Sequence, residues 1–233
     1  NLYFGSVKFT SAEITDVILG KSENISAVNI IKGIRLPRMA AAVILGGALS
    51  VSGFLLQTFF SNPIAGPFVL GISSGAKLAV ALIMIFFLEK GIILSSSAMI
   101  IAAFAGSMLS MAFILLVSGK AGKSSLLIVS GVMIGYICSA ITDFAVTFAD
   151  DSNIVNLHNW SMGSFSGISS GDIKVMSVTV FAAFTITFMM SKQIGAYQLG
   201  ESYAKSVGVN IRLFRILLIL LSSILSASVT AFA

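Results

Sequence analysis

Apolar residues fall into six long runs, at about 39–60, 68–88, 92–117, 125–148, 173–191 and 214–233. A helix needs roughly 20 apolar residues to cross a bilayer. Strands of a membrane barrel need only about 10, alternating in polarity, and these runs are longer and uniformly apolar. A lipid-embedded backbone must satisfy its own polar groups, which helices do. The pattern therefore predicts an all-α protein, a polytopic transmembrane helical bundle of six helices over residues 39–233. Residues 7–38 differ. They mix Lys8, Glu13, Asp16, Lys21, Glu23 and Lys32 with apolar positions, and read as an extracytoplasmic interfacial segment. Within it, Ser11 to Leu19 predicts a short amphipathic helix capped by Ser11 and ended by Gly20. Residues 1–6 resemble a tag remnant or the end of a helix, and the first four are set aside.

Composition agrees with the pattern. The chain has 233 residues, 57% hydrophobic and 10% charged, with a mean hydropathy of +1.02. Soluble domains carry about 25% charged residues. The net charge of +5 reads as topology signal and lipid-headgroup contact. Without a basic run interleaved with aromatics, no nucleic-acid partner is expected. A single cysteine, Cys138, and a single histidine, His158, leave no disulfide framework and no cysteine- or histidine-rich metal site within one chain.

Lys120 and Lys123 mark the loop 118–124, and Lys192, Lys205 and Arg212 mark the loop 192–213. The loop 149–172 instead opens on Asp150 and Asp151. The positive-inside rule places the first two loops in the cytoplasm and the third outside. The turn 61–67 is then cytoplasmic, and Arg35 and Arg38 face outward against the rule. Outward arginines that oppose the topology signal point to a function.

Small residues at Gly46, Ser50 and Gly53, and again at Gly131, Gly135, Ser139 and Thr142, fall on single helix faces. Such faces let backbones approach in lipid, and the first run is expected to be central. Lys77 and Asp143 lie inside apolar runs, where ionisable groups are functional candidates. The alternatives are snorkelling of Lys77 to an interface and access of Asp143 to outer water. Gly71 to Gly75 satisfies G-x-S-x-G, but that elbow requires a preceding strand and histidine and acid partners, which this context lacks. No G-x-x-x-x-G-K-[ST] phosphate loop occurs, so any ATP must be bound by another chain.

All three prolines, Pro37, Pro63 and Pro67, lie in one stretch. It reads Arg35-Leu36-Pro37-Arg38, an apolar run containing Ser52-Gly53 and Gln57, then Asn62-Pro63-Ile64-Ala65-Gly66-Pro67 and Leu70-Gly71-Ile72-Ser73-Ser74-Gly75. This ordered succession resembles the FecCD-type permeases of ABC importers for iron-siderophores, haem and vitamin B12, with Ile64 in place of a commoner Leu. Trp160, Met162, Gly163 and Ser164 match the family's short extracytoplasmic helix. Leu199-Gly200 through Val207-Gly208 matches its coupling segment, with Val207 for a Leu.

The resemblance implies a type II ABC importer permease fold and a transport subunit rather than an enzyme, in a bacterial cell membrane. It implies a homodimer with ten helices per subunit, against which this sequence reads as incomplete at both ends. It also implies an ATP-binding subunit, which holds ATP and Mg, and an extracytoplasmic substrate-binding protein. This chain would carry no cofactor. Arg35 and Arg38 would receive acidic residues of the binding protein. Leu199, Gly200, Glu201, Ala204, Val207 and Gly208 would couple to the ATPase. Asn62 and Ile64 would gate the cytoplasmic end, with Lys120 and Lys123 as further candidates there, and Asp143 would line the pathway. The alternatives are an ion-coupled secondary transporter using Asp143 and a membrane scaffold or sensor.

Overall fold

The structure, a computed structural model, describes residues 3, 5, 7–88, 96–118 and 124–232. Among them the elements are α1 (Ser11–Ile18), α2 (Ile25–Ile30), α3 (Leu36–Phe60), α4 (Ile72–Leu88), α5 (Ser96–Ser118) and α6 (Ser124–Thr147). These are followed by α7 (Asp151–Ser161), α8 (Ser170–Met189), α9 (Ser191–Gln198), α10 (Glu201–Ser206) and α11 (Ile211–Phe232). No strand occurs among the described residues.

The first helix starts one residue earlier than expected in its capping. Thr10, not Ser11, is the N-cap. Its hydroxyl accepts from the Glu13 N–H at 3.4 Å, and the Glu13 carboxylate accepts from the Thr10 N–H at 2.8 Å. This reciprocal box holds the Glu13 carboxyl below its ordinary range, through the Thr10 backbone bond first and its hydroxyl second. Gly20 follows with φ +74°.

Two spans depart from the sequence pattern. The helical path that contains α3 runs unbroken from Ile25 to Phe60, through a π-helical turn at Ile31–Arg35, and so crosses the boundary expected at residue 38. Pro37 has no N–H to donate. The wider turn before it absorbs the mismatch, with the Leu36 N–H reaching back to Ile31. The run 68–88 is also divided: Pro67–Leu70 forms a 3-10 turn, and α4 begins only at Ile72. Five helices among the described residues are long and apolar enough to cross a bilayer, and the described part of α4 is a shorter apolar helix. The irregular piece between α3 and α4, with its 3-10 turn, tucks Ala65 and Leu70 into the core, and Ile72 follows them at the start of α4. Irregular backbone is tolerated in lipid only when protein or water covers it.

The most enclosed helix is α11, not α3. It packs along α3 and α5, with α8 and α4 completing its surround. Ser222, Ser223, Ser226, Ala227 and Ser228 are buried on it. Ser52 of α3 and Ser222 form a reciprocal clasp: the Ser52 hydroxyl donates to the Ser222 carbonyl at 2.8 Å, and the Ser222 hydroxyl to the Ser52 carbonyl at 3.1 Å. By contrast, the expected packing face of α3 is open. Ser50 is exposed, and a Cβ built at Gly46 or Gly53 meets nothing within 4 Å.

Close approach occurs instead where α4 meets α5 and α6. A Cβ at Gly75 would lie 2.7 Å from the Gly106 carbonyl oxygen of α5, and one at Gly106 would lie 2.3 Å from that of Gly75. Gly71, at φ +63°, sits against the backbone of Gly131 and Gly135 on α6. Ser107 donates to the Ile72 carbonyl at 3.3 Å.

Two ends of the bundle follow from these contacts. One gathers the C-terminal end of α3, the hairpin α9–α10 and the start of α11. The other gathers the start of α3, α7, the start of α8 and the end of α11, where Ala41, Leu45, Met176 and Val229 meet.

Gly106→Val is expected to cost at least the 1–3 kcal/mol or so of an overpacked core, because the obstacle is backbone. Gly195→Ala on α9, where a Cβ meets nothing within 4 Å, is expected to be neutral or slightly stabilising. Thermal melts of the detergent-solubilised variants check this; equal melting temperatures would refute the close-packing account.

Candidate functional site

The region 195–213 folds into a hairpin rather than a loose loop. Gly200 takes φ +126° and Gly208 φ +90°, conformations that suit glycine. The two turns bracket α10. Ala204 is fully buried beneath it and anchors it, so it has no surface to offer a partner. The Val209 N–H bonds the Ala204 carbonyl at 3.0 Å and closes the C-terminal turn.

Three side chains fasten the hairpin to the bundle. Tyr197 is buried and its ring lies 5.1 Å from that of Phe214 on α11. Arg215 donates through Nε to the Tyr197 hydroxyl at 3.1 Å and through Nη2 to Glu201 at 2.8 Å. Gln198 donates to the Thr58 hydroxyl of α3 at 3.3 Å. Glu201 thus works inward as well as lying partly exposed. The outward surface carries three large apolar side chains, Leu199 at 73% exposure, Val207 at 55% and Tyr203 between them, beside exposed Ser202, Lys205 and Ser206. Beside Val207 and Gly208 lies a groove of about 400 Å³ floored by Leu213 and Phe214. An anchored hairpin with outward apolar side chains and flanking Lys192 and Lys205 is suited to docking a protein surface and moving with the bundle as one body.

At the other end, the two arginines of the Arg-Leu-Pro-Arg motif part company. Arg38 is exposed. Arg35 is buried, its guanidinium donating to the Val7 carbonyl and lying over the Phe9 ring at 4.8 Å. The reason lies in the small lobe around it. Ile14, Val17, Ala27 and Ile31 form a core of their own, with Phe9 and Leu36 against it, and Arg35 ties the incoming chain to that core. Its burial withdraws it from an acidic partner in this conformation, whereas Arg38 remains presented.

Asn62 shapes the turn after α3: its side-chain oxygen accepts from the Ile64 N–H at 2.9 Å. This presents Ile64 at 88% exposure. Asp143 lies near the opposite end of the bundle, exposed on α6, so the structure does not bring the three candidate pathway residues together. Lys120 and Lys123 lie outside the described residues. Ser73 of the G-x-S-x-G stretch is helical and pairs with Thr230 at 3.3 Å, far from any nucleophile role. Sequence reasoning passed over Tyr197, Tyr203, Gln198 and Arg215. The signal for Arg215 was present, since a cation in the first turns of an apolar helix requires a partner.

The whole chain, residues 1–233, matches the model of the FecCD transport family. It is 34% identical over 200 residues to a hemin transport system permease protein of Yersinia pestis, covering 85% of this chain and 60% of that protein. It is 35% identical over 218 residues to a vitamin B12 import system permease protein of Vibrio parahaemolyticus, covering 91% and 64% respectively. The chain therefore spans less than two thirds of the length of either relative. A solved structure described as an inward-facing conformation of a metal-chelate type ABC transporter superposes with a TM-score of 0.85 at 24% identity. The match covers 99% of this chain and 70% of that one, and establishes the shared fold.

Two measurements test the anchoring. Tyr197→Ala is expected to cost about 3 kcal/mol or more, as aromatic truncations in a core do. Glu201→Gln is expected to cost less than about 1 kcal/mol, because the pair is partly exposed. Chemical denaturation separates the two. In hydrogen exchange, Arg35→Gln is expected to speed exchange across residues 7–18 by about tenfold, the scale of a hydrogen bond to a charged group. Arg38→Gln is expected to leave it unchanged; equal rates in both variants would remove the tie assigned to Arg35.

Proposed function

Because the chain belongs to the FecCD transport family, we propose that it is the membrane-spanning permease of an ATP-driven importer for an iron-siderophore, haem or cobalamin-type substrate. It works as a homodimer in a bacterial cell membrane and passes substrate by alternating access between the two copies. The observation that carries this reading is the hairpin α9–α10. Its apolar outer face at Leu199, Tyr203 and Val207 stands on a buried footing of Tyr197 and Ala204. A separate ATP-binding subunit closing on that face would move α11 and α3 directly, through Arg215, Phe214 and Thr58. The two states would be populated according to the nucleotide bound by that subunit.

At the far end, Arg38 is the cation available to an acidic surface of an extracytoplasmic binding protein, since an arginine fork suits carboxylates. Arg35 supports it by holding the lobe on which that protein would rest. Ile64 projects at the cytoplasmic end as part of a gate. The family membership supports this reading over the ion-coupled one centred on Asp143.

The test uses the full-length permease, co-expressed with its ATP-binding subunit and reconstituted in nanodiscs. Binding proteins loaded with ferric siderophore, haem or cobalamin are added in turn, and one of them is expected to stimulate ATP hydrolysis. The double variant Leu199→Asp/Val207→Asp is expected to lose association with the ATP-binding subunit while keeping the bundle's melting temperature. Retained association in that variant would count against the docking role of the hairpin.

A further inference from the structure

Beneath α7, at the end of the bundle opposite the α9–α10 hairpin, lies a cavity of about 490 Å³. That size falls in the range of small-molecule sites, about 300–1,000 Å³. Its lining comes from three elements. From α4 come Ser73, Ser74 and Lys77, from the end of α7 comes Trp160, and from the end of α11 comes Thr230. Phe68, 66% exposed, closes another side.

Charge decides what such a cavity accepts. Lys77 is its one cation, and no carboxylate lines it. Among the described residues Lys77 has no salt bridge, the one ion pair there being Arg215–Glu201. Lys77 is exposed rather than packed, and it lines the cavity under α7, which favours the functional reading of this intramembrane cation over the alternative of snorkelling to the cytoplasmic interface. An ammonium group in a recess walled by apolar atoms attracts anions more strongly than one in open water. The hydroxyls of Ser73, Ser74 and Thr230 supply neutral donors around it, and Phe68 and Trp160 supply flat apolar faces.

We propose that this cavity binds an anionic metal chelate bearing planar ligand groups, with Lys77 meeting its acidic oxygens and Trp160 its flat face. The inference rests on the permease reading for the identity of that chelate as transported substrate. It narrows the substrate class to acidic chelates, such as those with catecholate or carboxylate arms, and disfavours neutral ones.

Trp160 is the only tryptophan of the chain, so the site carries its own reporter. The full-length permease, with any tryptophan outside these 233 residues replaced by phenylalanine, is titrated in phosphatidylcholine nanodiscs with the anionic ferric tris-catecholate of 2,3-dihydroxybenzoate and with neutral ferric tris-acetohydroxamate, following Trp160 fluorescence. The anionic chelate is expected to bind at least about tenfold more tightly, the scale of a charge-assisted contact. Lys77→Met is expected to abolish that preference and Lys77→Arg to restore it, with unchanged melting temperatures confirming folded protein. Equal affinities in the wild type, or an unchanged preference in Lys77→Met, would overturn the proposal. So would loss of chelate binding on adding phosphatidylglycerol, which would assign the site to a lipid headgroup. ATP hydrolysis is measured on the same preparation. A stimulated ATPase without charge preference overturns this inference and spares the permease reading; charge preference without stimulation does the reverse.

Discussion

The backbone-to-backbone approach of Gly75 and Gly106 governs how this bundle is put together. Apolar side chains gain little by leaving lipid for a protein interior that is no less apolar, so helices associate in membranes through close packing and hydrogen bonds. At this crossing a single methyl group on either residue would collide with a carbonyl oxygen. The same closeness brings the Ile72 carbonyl, at the start of α4, within reach of Ser107 and seats Gly71 on Gly131 and Gly135. A helix that begins inside the protein needs its first turn covered. Here the covering is supplied by α5 and α6, and the irregular stretch between Phe60 and Ile72 survives in lipid because of it.

The two ends of the molecule solve a similar problem with different materials. Each carries a short-helix appendage that is too small to be stable alone and must borrow the bundle. At one end the loan is aromatic and ionic, through Tyr197 on Phe214 and Arg215 between Tyr197 and Glu201. At the other it is Arg35 between Val7 and Phe9, above a small core of Ile14, Val17, Ala27 and Ile31. In both cases an arginine near a helix start satisfies its donors locally. What remains outward is what a partner would meet: Leu199, Tyr203 and Val207 at the first end, Arg38 at the second.

Helix class and count of apolar runs were legible because lipid permits few alternatives, and the ordered motifs identified the family. The division of the run 68–88 was not legible, because Phe68, Val69 and Leu70 are as apolar as the helix that follows; only Gly71 hinted at a break, and its φ of +63° is a three-dimensional fact. The continuity of helix across Pro37 was hidden for the opposite reason. Proline usually marks a boundary, and a π turn that absorbs it has no composition of its own. Among the site residues, Leu199 and Val207 stand outward and Gly200 and Gly208 lie at turns. The burial of Ala204 depends on which face of α10 meets its neighbour, and six residues give too little periodicity to decide that; the burial of Arg35 follows from its place in the π turn.

The same difficulty explains why α3 was expected at the centre and α11 was found there. Gly46, Ser50 and Gly53 share a face, yet among the described residues no atom lies within 4 Å of a Cβ built at Gly46 or Gly53. Small residues permit close approach without causing it. A small face is used when a second small face meets it at the same depth. Gly71, just before α4, and Gly75 on it find that complement in Gly131 and Gly135 of α6 and in Gly106 and Ser107 of α5. Ser222 finds it in Ser52, with two hydrogen bonds to fix the register. Reading packing from one helix at a time therefore overcounts contacts, and the useful unit is the pair. On that criterion the serine-rich face of α11 was the stronger predictor of burial, since hydroxyls are costly in lipid unless paired; Ser222 and Ser228 donate to carbonyls, and Ser223 is buried among the described residues without a partner.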